Sequence, residues 1–384
     1  MNRLLISSCA SVVGCALALL SPAAADAKSK ELVVHSFHTG GDGLYPKAGL
    51  VDVKGTLYGT TEVGGSHNEG AVFSVNPTTG AETVLYSFAG ATDGSFPVAS
   101  PIGVKGTLYG TTADGGTANK GSVYSVNPTS GAETVLYSFS GGTDGGTPVA
   151  SLIDVKGTLY GTTMAGGNVG AGTVFSLDPT TGVETVLHSF AGDPDGTYPV
   201  ASLIDVKGTL YGTTEIEGAN GYGTVFSLDP MTGAETVLHS FSGGADGEFP
   251  EGNLINVKGT LYGTTGLGGA YNYGTVFSLD PMTGAETVLY SFGGGTDGVS
   301  PVAGLIDVKG DLYSTTEAGG TYNQGTVFSF NPTTGAEAVL HSFAGGGDGE
   351  NPYPGLVAVK GRLYGTTYFG GAYNYGTVFE IKKP

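Results

Sequence analysis

Tyrosine and asparagine recur together in short loops at one position of a repeated unit. The side chains concerned are Asn68, Tyr222, Tyr271, Asn272, Tyr273, Tyr322, Asn323, Tyr373, Asn374 and Tyr375. Aromatic rings stack on the C–H faces of sugars, while amides bond to hydroxyl groups. The loops are therefore predicted to bind carbohydrate, and their repetition would make binding multivalent. The alternative is that these residues only build the loops and pack between units.

An Asp-Gly turn recurs along the chain. It occurs at Asp42, Asp93, Asp144, Asp195, Asp246, Asp297 and Asp348. A carboxylate in a turn most often accepts amides of its own loop, which predicts a structural role. Only Asp193 and Asp195 have the two-acid spacing of a calcium loop, and calcium needs about six to eight oxygen ligands. The pair is a calcium candidate that lacks the later acids of an EF-hand, and no other cofactor is indicated.

Histidine and acidic residues give little sign of catalysis. His35, His188, His239 and His341 share one position of the unit, where other units have Tyr86, Tyr137 and Tyr290. Each histidine belongs to a different unit, which predicts packing between units and not one shared metal. The units are near copies, so an asymmetric site would need the few departures, Glu62, Asp114, Glu215, Glu217, Glu251 and Glu317. Paired carboxylates could serve a glycosidase, but no nucleophile, zinc or phosphate-loop motif accompanies them, and no catalytic residue is nominated.

These residues are carried by a unit that repeats along the chain. Leu-Tyr-Gly-Thr-Thr begins at Leu57, Leu108, Leu159, Leu210, Leu261 and Leu363, with a serine variant at Leu312. Every step is 51 residues, without insertion or deletion. Each unit holds four short runs rich in Val, Leu, Ile, Tyr, Phe and Thr, separated by Gly, Pro, Asn and Asp, and no helical stripe. The unit therefore predicts four β-strands.

Repetition and chain ends together predict the architecture. Apolar residues occupy both faces of the runs, as in a sheet packed between two others. Seven four-stranded units predict an all-β, seven-bladed β-propeller. The C-terminus stops after a third strand, whereas residues 31–37 match a fourth strand. The N-terminal strand is expected to complete the last blade and close the ring, which removes an open edge. A linear β-solenoid is the alternative.

The N-terminus reads as a secretory signal peptide over residues 1–27. A short basic start precedes an apolar run over residues 4–20 and then a stretch of small residues. Both cysteines, Cys9 and Cys15, lie within it, so residues 28–384 form one expected cysteine-free domain. The signal peptide predicts that the protein is secreted to the periplasm or the exterior. Attachment of a lipid at Cys15 is the alternative. No later apolar run approaches the roughly 20 residues that span a bilayer.

Charge narrows the class of partner. The 384 residues carry a formal net charge of −19, which argues against nucleic acid as a partner. Composition also bears on the class of protein. Quinoprotein propellers typically place tryptophan between blades, and this sequence contains none, so it does not resemble that class of propeller enzyme.

The repeat pattern resembles a known family. It runs Asp-Gly-x-x-Pro, Val-Lys-Gly-x-Leu-Tyr-Gly-Thr-Thr, Gly-Gly, then Gly-Thr-Val-Phe-Ser-Leu-Asp-Pro-x-Thr-Gly. This is similar to the GloVer tandem repeat family of exported bacterial propeller-like proteins, over residues 31–384. The resemblance implies fold and export but no chemistry.

The sequence as a whole favours a secreted binding or interaction module, expected to be a monomer, with extracellular carbohydrate as ligand. Two alternatives remain open. One is a structural or protein-interaction scaffold of the cell envelope, in which an envelope protein is the partner. The other is an enzyme that acts on polysaccharide.

Overall fold

The computed structural model describes residues 31–382. Seven four-stranded antiparallel sheets stand around one axis, which confirms the predicted seven-bladed β-propeller. We number the blades in chain order and their strands from the axis outward. No helix long and apolar enough to cross a membrane occurs among residues 31–382. The predicted signal peptide, residues 1–27, lies outside the described residues.

The strands of the blades have nearly constant bounds, as follows. Blade 1 has Val51–Val53, Thr56–Thr61, Ala71–Val75 and Glu82–Ser87. Blade 2 has Ile102–Val104, Thr107–Thr112, Ser122–Val126 and Glu133–Ser138; blade 3 has Ile153–Val155, Thr158–Thr163, Thr173–Leu177 and Glu184–Ser189. Blade 4 has Ile204–Val206, Thr209–Thr214, Thr224–Leu228 and Glu235–Ser240; blade 5 has Ile255–Val257, Thr260–Thr265, Thr275–Leu279 and Glu286–Ser291. Blade 6 has Ile306–Val308, Asp311–Thr316, Thr326–Asn331 and Ala336–Ser342; blade 7 has Val357–Val359, Arg362–Thr367, Thr377–Lys382 and Glu31–Ser36. The short strands Gly43–Leu44 and Val63–Gly64 and the single 3-10 turns Gly244–Asp246 and Gly346–Asp348 complete the set.

The two ends of the chain meet in blade 7. Glu31–Ser36 pairs antiparallel with Thr377–Lys382, so the first strand of the chain becomes the outer strand of the last blade. The innermost strand of blade 7, Val357–Val359, lies against that of blade 1, Val51–Val53. The predicted closure of the ring by the N-terminal strand is therefore confirmed.

Aromatic pairs join each blade to the next. A phenylalanine that follows the outer strand is fully buried and contacts a ring on the third strand of the following blade edge to face. The centroid distances are 5.0–5.2 Å, which suits this geometry. The pairs are Phe37–Phe73, Phe88–Tyr124, Phe139–Phe175, Phe190–Phe226, Phe241–Phe277, Phe292–Phe328 and Phe343–Phe379. The same contact thus forms at every junction, including the one that closes the ring.

The Leu-Tyr-Gly-Thr-Thr motif is explained by packing. Its leucine is buried in the core between blades. Its glycine lies opposite the third-strand ring, as Gly161 does opposite Phe175. Its first threonine reaches the next blade: Thr60 Oγ donates to the Ala99 carbonyl at 3.0 Å, and Thr366 Oγ to the Ala48 carbonyl at 3.0 Å. The motif therefore specifies how blades pack and carries no chemistry of its own.

Replacing Gly161 by alanine is expected to lower the free energy of unfolding by about 1–3 kcal/mol, because overpacking displaces neighbours. A Cβ atom there would lie 2.7 Å from Phe175 Cζ and 2.8 Å from Leu152 Cδ2. Urea denaturation would measure the change. Blade 6 offers the converse test, since Ser314 occupies this position and donates to the Gly304 carbonyl at 2.9 Å. Ser314→Gly should also destabilise the protein, and equal stability in both variants would contradict this account.

Candidate functional site

One face of the propeller gathers the variable loops, and we call it the upper face. The links between blades and the loops between second and third strands both emerge there. Short antiparallel bridges join the two loop types within a blade, for example Gly146 to Ala165 and Glu350 to Phe369. These bridges tie the two loop types together above a rigid sheet.

Two positions of the repeat that vary in chemistry supply side chains to a cavity at the axis on the upper face. The residue after the proline of the interblade link is, from blade 1 to blade 7, Lys47, Val98, Val149, Val200, Glu251, Val302 and Tyr353. The residue after Gly-Thr-Thr is Glu62, Ala113, Met164, Glu215, Gly266, Glu317 (after Ser-Thr-Thr) and Tyr368. Residues of the first set from all seven blades line a cavity of about 330 Å³, together with Met164 and Glu215. We call this opening the axial mouth.

Two tyrosines of blade 7 hold carboxylates beside the axial mouth. Tyr353 Oη donates to Glu317 Oε1 at 2.8 Å, and Tyr368 Oη donates to Glu62 Oε2 at 2.6 Å. Tyr45 stacks on Tyr368 with ring centroids 5.2 Å apart. These contacts bridge blades, so the polar side of the mouth is fixed before any ligand arrives.

Two further carboxylates of the mouth, Glu215 and Glu251, have no hydrogen-bond partner within residues 31–382 although both line the cavity. Burial raises the pKa of Glu251 to about 7; the negative charges of Glu215 and Glu317 add to this effect and Lys47 opposes it. Burial also raises the pKa of Glu215. These oxygens are left to accept hydrogen bonds from a ligand.

The mouth is lopsided in polarity. Blades 4, 5, 7 and 1 supply Glu215, Glu251, Tyr353 and Lys47, whereas blades 2 and 3 supply Val98, Val149 and Met164. Blades 4 and 6 add the apolar Val200 and Val302. Burial, followed by the hydrogen bond to Glu317, raises the pKa of Tyr353 to about 12, so its hydroxyl stays a donor at neutral pH. An acidic side opposite an apolar side suits a neutral molecule that carries both hydroxyl groups and C–H faces.

The departures nominated from the sequence divide into two groups. Glu215 and Glu251 line the mouth, and Glu62 and Glu317 accept hydrogen bonds from tyrosines beside it, while Asp114 pairs through its backbone with Ser95. Glu217 also stays away from the axis and faces a hollow that Asp193 and Tyr198 line. Lys47, Tyr353 and Tyr368 were not predicted. They are equally unlike their counterparts in other blades, and that signal would have found them.

The asparagines predicted to bind sugar close their own loops. Asn68, Asn272, Asn323 and Asn374 all have positive φ. Their Oδ1 atoms accept the amides of Gly64, Gly268, Gly319 and Gly370 at 3.1–3.3 Å. Their amide nitrogens are left for any ligand. The oxygen, however, is committed to the turn.

The predicted tyrosines differ in exposure. Tyr271, Tyr322 and Tyr373 are 64%, 55% and 58% exposed and occupy the same position in blades 5, 6 and 7. Tyr273 and Tyr222 are exposed to a smaller degree. Tyr375 instead packs edge to face on Tyr45, with centroids 5.6 Å apart. The structure therefore offers three neighbouring exposed rings and assigns Tyr375 to packing.

A second kind of cluster lies at the outer edge of every junction, and sequence reasoning missed it. The fourth-strand histidine or tyrosine contacts the aspartate of the following Asp-Gly turn, as His188 Nε2 does Asp195 Oδ2 at 3.1 Å and Tyr290 Oη does Asp297 Oδ2 at 3.0 Å. A glutamate from the outer strand of the next blade completes it, Glu235 beside His188. The three residues recur at fixed spacing, but only the blade packing shows that they meet. We call these groups the rim clusters.

The calcium candidates are separated by this arrangement. Asp195 belongs to a rim cluster, where its carboxylate also accepts the amide of Ala191 at 2.8 Å. Asp193 lines the neighbouring hollow with Glu217. Among the described residues the two aspartates are not part of one group of metal-ligating side chains. Calcium binding by the pair remains a prediction.

Similar solved structures are propeller proteins of low identity. An oligogalacturonate lyase from Vibrio parahaemolyticus has a TM-score of 0.59 and 10% identity over 94% of this chain and 95% of that chain. An oligogalacturonate lyase in complex with manganese has a TM-score of 0.54 and 11% identity over 86% of each chain. A protein described as the extracellular domain of a hybrid two component system from B. thetaiotaomicron has a TM-score of 0.63 and 12% identity, over 91% of this chain and 39% of that chain. At such identity these likenesses show the fold alone.

No curated protein sequence matches the chain. The repeat itself is recognised over nearly the whole length, in two overlapping stretches, residues 23–220 and 201–384. The repeat family and the propeller fold support a binding or interaction module and go no further. The chain belongs to the Gloeobacter/Verrucomicrobia repeat family.

Proposed function

We propose that the protein is an exported binding module that takes a neutral extracellular glycan at its axial mouth. The observation that carries this proposal is the convergence of unlike residues. In a chain whose units are near copies, the residue after the interblade proline varies between acid, base, aromatic and apolar types, and all seven copies of it meet around one cavity. A site for a single asymmetric ligand is the simplest use of such a convergence.

The chemistry of the mouth supports a sugar without charge. Glu215 and Glu251 offer free acceptors for hydroxyl groups, and the apolar side offers a surface for C–H faces. Glu215 and Glu251 line the mouth, and Glu62 and Glu317 lie beside it, against the single ammonium of Lys47, so a polyuronate would be repelled. We therefore do not propose oligogalacturonate, which the names of the similar lyases contain, as a ligand of this protein.

The size of the cavity limits how much of a glycan it can hold. Its volume of about 330 Å³ lies at the lower end of the roughly 300–1,000 Å³ typical of ligand pockets. This volume suits the end of a chain or a short oligosaccharide better than a long internal segment. Oligosaccharides with a free non-reducing end are the ligands to test first.

A second candidate uses the exposed rings of the upper face. Tyr271, Tyr322 and Tyr373 recur on adjacent blades, and Tyr322 borders a groove between blades 5 and 6 that includes Asp297 and Glu337. Such rings would give weak contacts that add up along a polymer. This candidate predicts binding to long glycans only.

The double variant Glu215→Gln, Glu251→Gln is expected to weaken glycan binding about 10- to 100-fold, because a hydrogen bond to a charged group contributes about 1.5–3 kcal/mol. Binding of residues 28–384 to a panel of neutral and acidic glycans would be measured by glycan array and calorimetry. Thermal unfolding would show that both carboxamides leave the fold intact.

The matched control is the triple variant Tyr271→Ala, Tyr322→Ala, Tyr373→Ala. Unchanged binding in this variant, with loss in the glutamate variant, supports the mouth. The reverse result rejects the mouth in favour of multivalent loops. Retention of no glycan would reject carbohydrate binding and favour the envelope scaffold. Release of soluble sugars would instead indicate an enzyme, for which Glu251, with its pKa of about 7, is the candidate acid.

A further inference from the structure

Four of the rim clusters combine an imidazole with two carboxylates. They are His35, Asp42 and Glu82; His188, Asp195 and Glu235; His239, Asp246 and Glu286; and His341, Asp348 and Glu31. In each, one nitrogen and two oxygens lie within 4.8 Å of one another. The histidine and aspartate come from one blade and its following link, and the glutamate comes from the next blade. Each triad therefore spans a junction between blades.

The spacing of the histidine and aspartate donor atoms is compatible with a small divalent ion. Two ligands on a tetrahedral zinc, with bonds of about 2.0–2.1 Å, are separated by about 3.3 Å. The distances between His Nε2 and the aspartate oxygen are 3.3, 3.1, 3.3 and 3.2 Å in the four triads. Nitrogen and carboxylate donors together suit zinc or manganese, whereas calcium prefers oxygen ligands alone.

Each triad also contains a carboxylate oxygen with no partner. The Oε1 atoms of Glu31, Glu82, Glu235 and Glu286 are buried and make no hydrogen bond within residues 31–382. A buried carboxylate oxygen without a partner destabilises a fold, and in each triad this oxygen is an acceptor left free for a ligand. An ion held by the histidine and the aspartate would supply that partner.

The three remaining junctions provide an internal comparison. There Tyr86, Tyr137 and Tyr290 replace the histidine and donate to Asp93, Asp144 and Asp297 at 2.7, 3.1 and 3.0 Å. The glutamate oxygens are unpartnered at these junctions too. A neutral phenol is a poor metal ligand, so only the histidine junctions have a complete donor set. Tyrosine keeps the hydrogen bond to aspartate and thus preserves the junction.

We propose that each His–Asp–Glu triad binds a divalent transition-metal ion, with zinc preferred, through Nε2 and two carboxylate oxygens, water filling the remaining positions. The ion crosslinks adjacent blades. Two of the four ions would act on the strand Glu31–Ser36, because Glu31 belongs to the triad between blades 6 and 7 and His35 to the triad between blades 7 and 1. Metal would thereby fasten the strand that closes the ring. This proposal does not depend on glycan binding.

The test is the stoichiometry of metal binding by the full chain after chelation and dialysis. Titration with Zn²⁺, followed by calorimetry and elemental analysis, should show four sites per chain and a rise in the unfolding temperature. His188→Tyr should remove one site while the protein remains folded, since three junctions already use tyrosine. Tyr290→His should add one site, because Asp297 and Glu337 are already in place.

Other outcomes overturn the proposal. Absence of Zn²⁺ and Mn²⁺ binding would do so, and so would binding of Ca²⁺ alone. An unchanged stoichiometry in both His188→Tyr and Tyr290→His would place the bound metal elsewhere. His38→Ala serves as the control, because His38 lies 3.7 Å from Asp42 and is more exposed than the triad histidines. Loss of a site in His38→Ala would exclude the triad between blades 7 and 1 as assigned here.

Discussion

Phe190→Ala is expected to lower the free energy of unfolding by about 3–5 kcal/mol, the usual cost of removing a buried phenylalanine. Phe190 is fully buried and meets Phe226 of the next blade edge to face at 5.2 Å. His188 packs on its other side at 4.9 Å. The cavity cannot be filled by local collapse, because both neighbours are fixed by strand pairing. Equilibrium unfolding in urea would measure the loss.

Phe37→Ala tests the same contact at the point where the ring closes. Phe37 contacts Phe73 at 5.1 Å and is also fully buried. A closed ring that unfolds as one unit predicts a cost close to that of Phe190→Ala. A cost near zero would mean that the strand Glu31–Ser36 does not hold blade 7 to blade 1 in solution.

Tyr124→Phe is the matched control for both variants. Tyr124 replaces the phenylalanine found at this position in the other blades, and its buried hydroxyl has no partner among the described residues. Removing an unpaired buried hydroxyl should raise the stability by about 1 kcal/mol. A large loss of stability in this control would show that the junctions are sensitive to any change. It would contradict the explanation that Phe190→Ala and Phe37→Ala destabilise the protein by leaving a cavity.

The metal-free protein is expected to lose stability as the pH rises from about 5 to about 8. Burial, with the negative charges of Asp93, Asp144 and Asp297, raises the pKa of Glu133 to about 7, of Glu184 to about 7 and of Glu337 to about 8. In this window the folded protein keeps protons that the unfolded chain has already released. The raised pKa of these glutamates therefore stabilises the folded protein at low pH. This contribution to stability is lost as the pH rises through the pKa of the folded state.

The expected size of the effect is about 1 kcal/mol for each of these three glutamates, since solvent screens groups that are only partly buried. Unfolding in urea with a chelator, at several pH values, would measure it. The triple variant Glu133→Gln, Glu184→Gln, Glu337→Gln should make the profile less steep, with Glu69→Gln, on a loop, as the control. Carboxyls with a lowered pKa, such as that of Asp178, titrate below this window. A stability that rises from pH 5 to pH 8 would contradict the prediction.

The sequence was sufficient for the fold because every strand, turn and buried ring recurs at one spacing. It was less informative for the mouth. Glu251 and Glu317 were visible as departures, but Lys47 and Tyr353 become their neighbours only when seven blades are placed around an axis. The rim clusters were missed for a related reason. His188 and Glu235 belong to different blades, so their proximity depends on how far one blade is offset against the next.

The position of the chain ends has a consequence for the order in which the molecule is built. Glu31–Ser36 is the first described strand to be synthesised, yet its partner, Thr377–Lys382, is the last. Blades 1 to 6 can form in sequence as the chain grows, each covering the edge of its predecessor. Blade 7 has to wait for the final residues, and until then both ends of the incomplete ring expose an apolar blade face. A chain cut short before Thr377 would therefore hold six finished blades without a closed propeller.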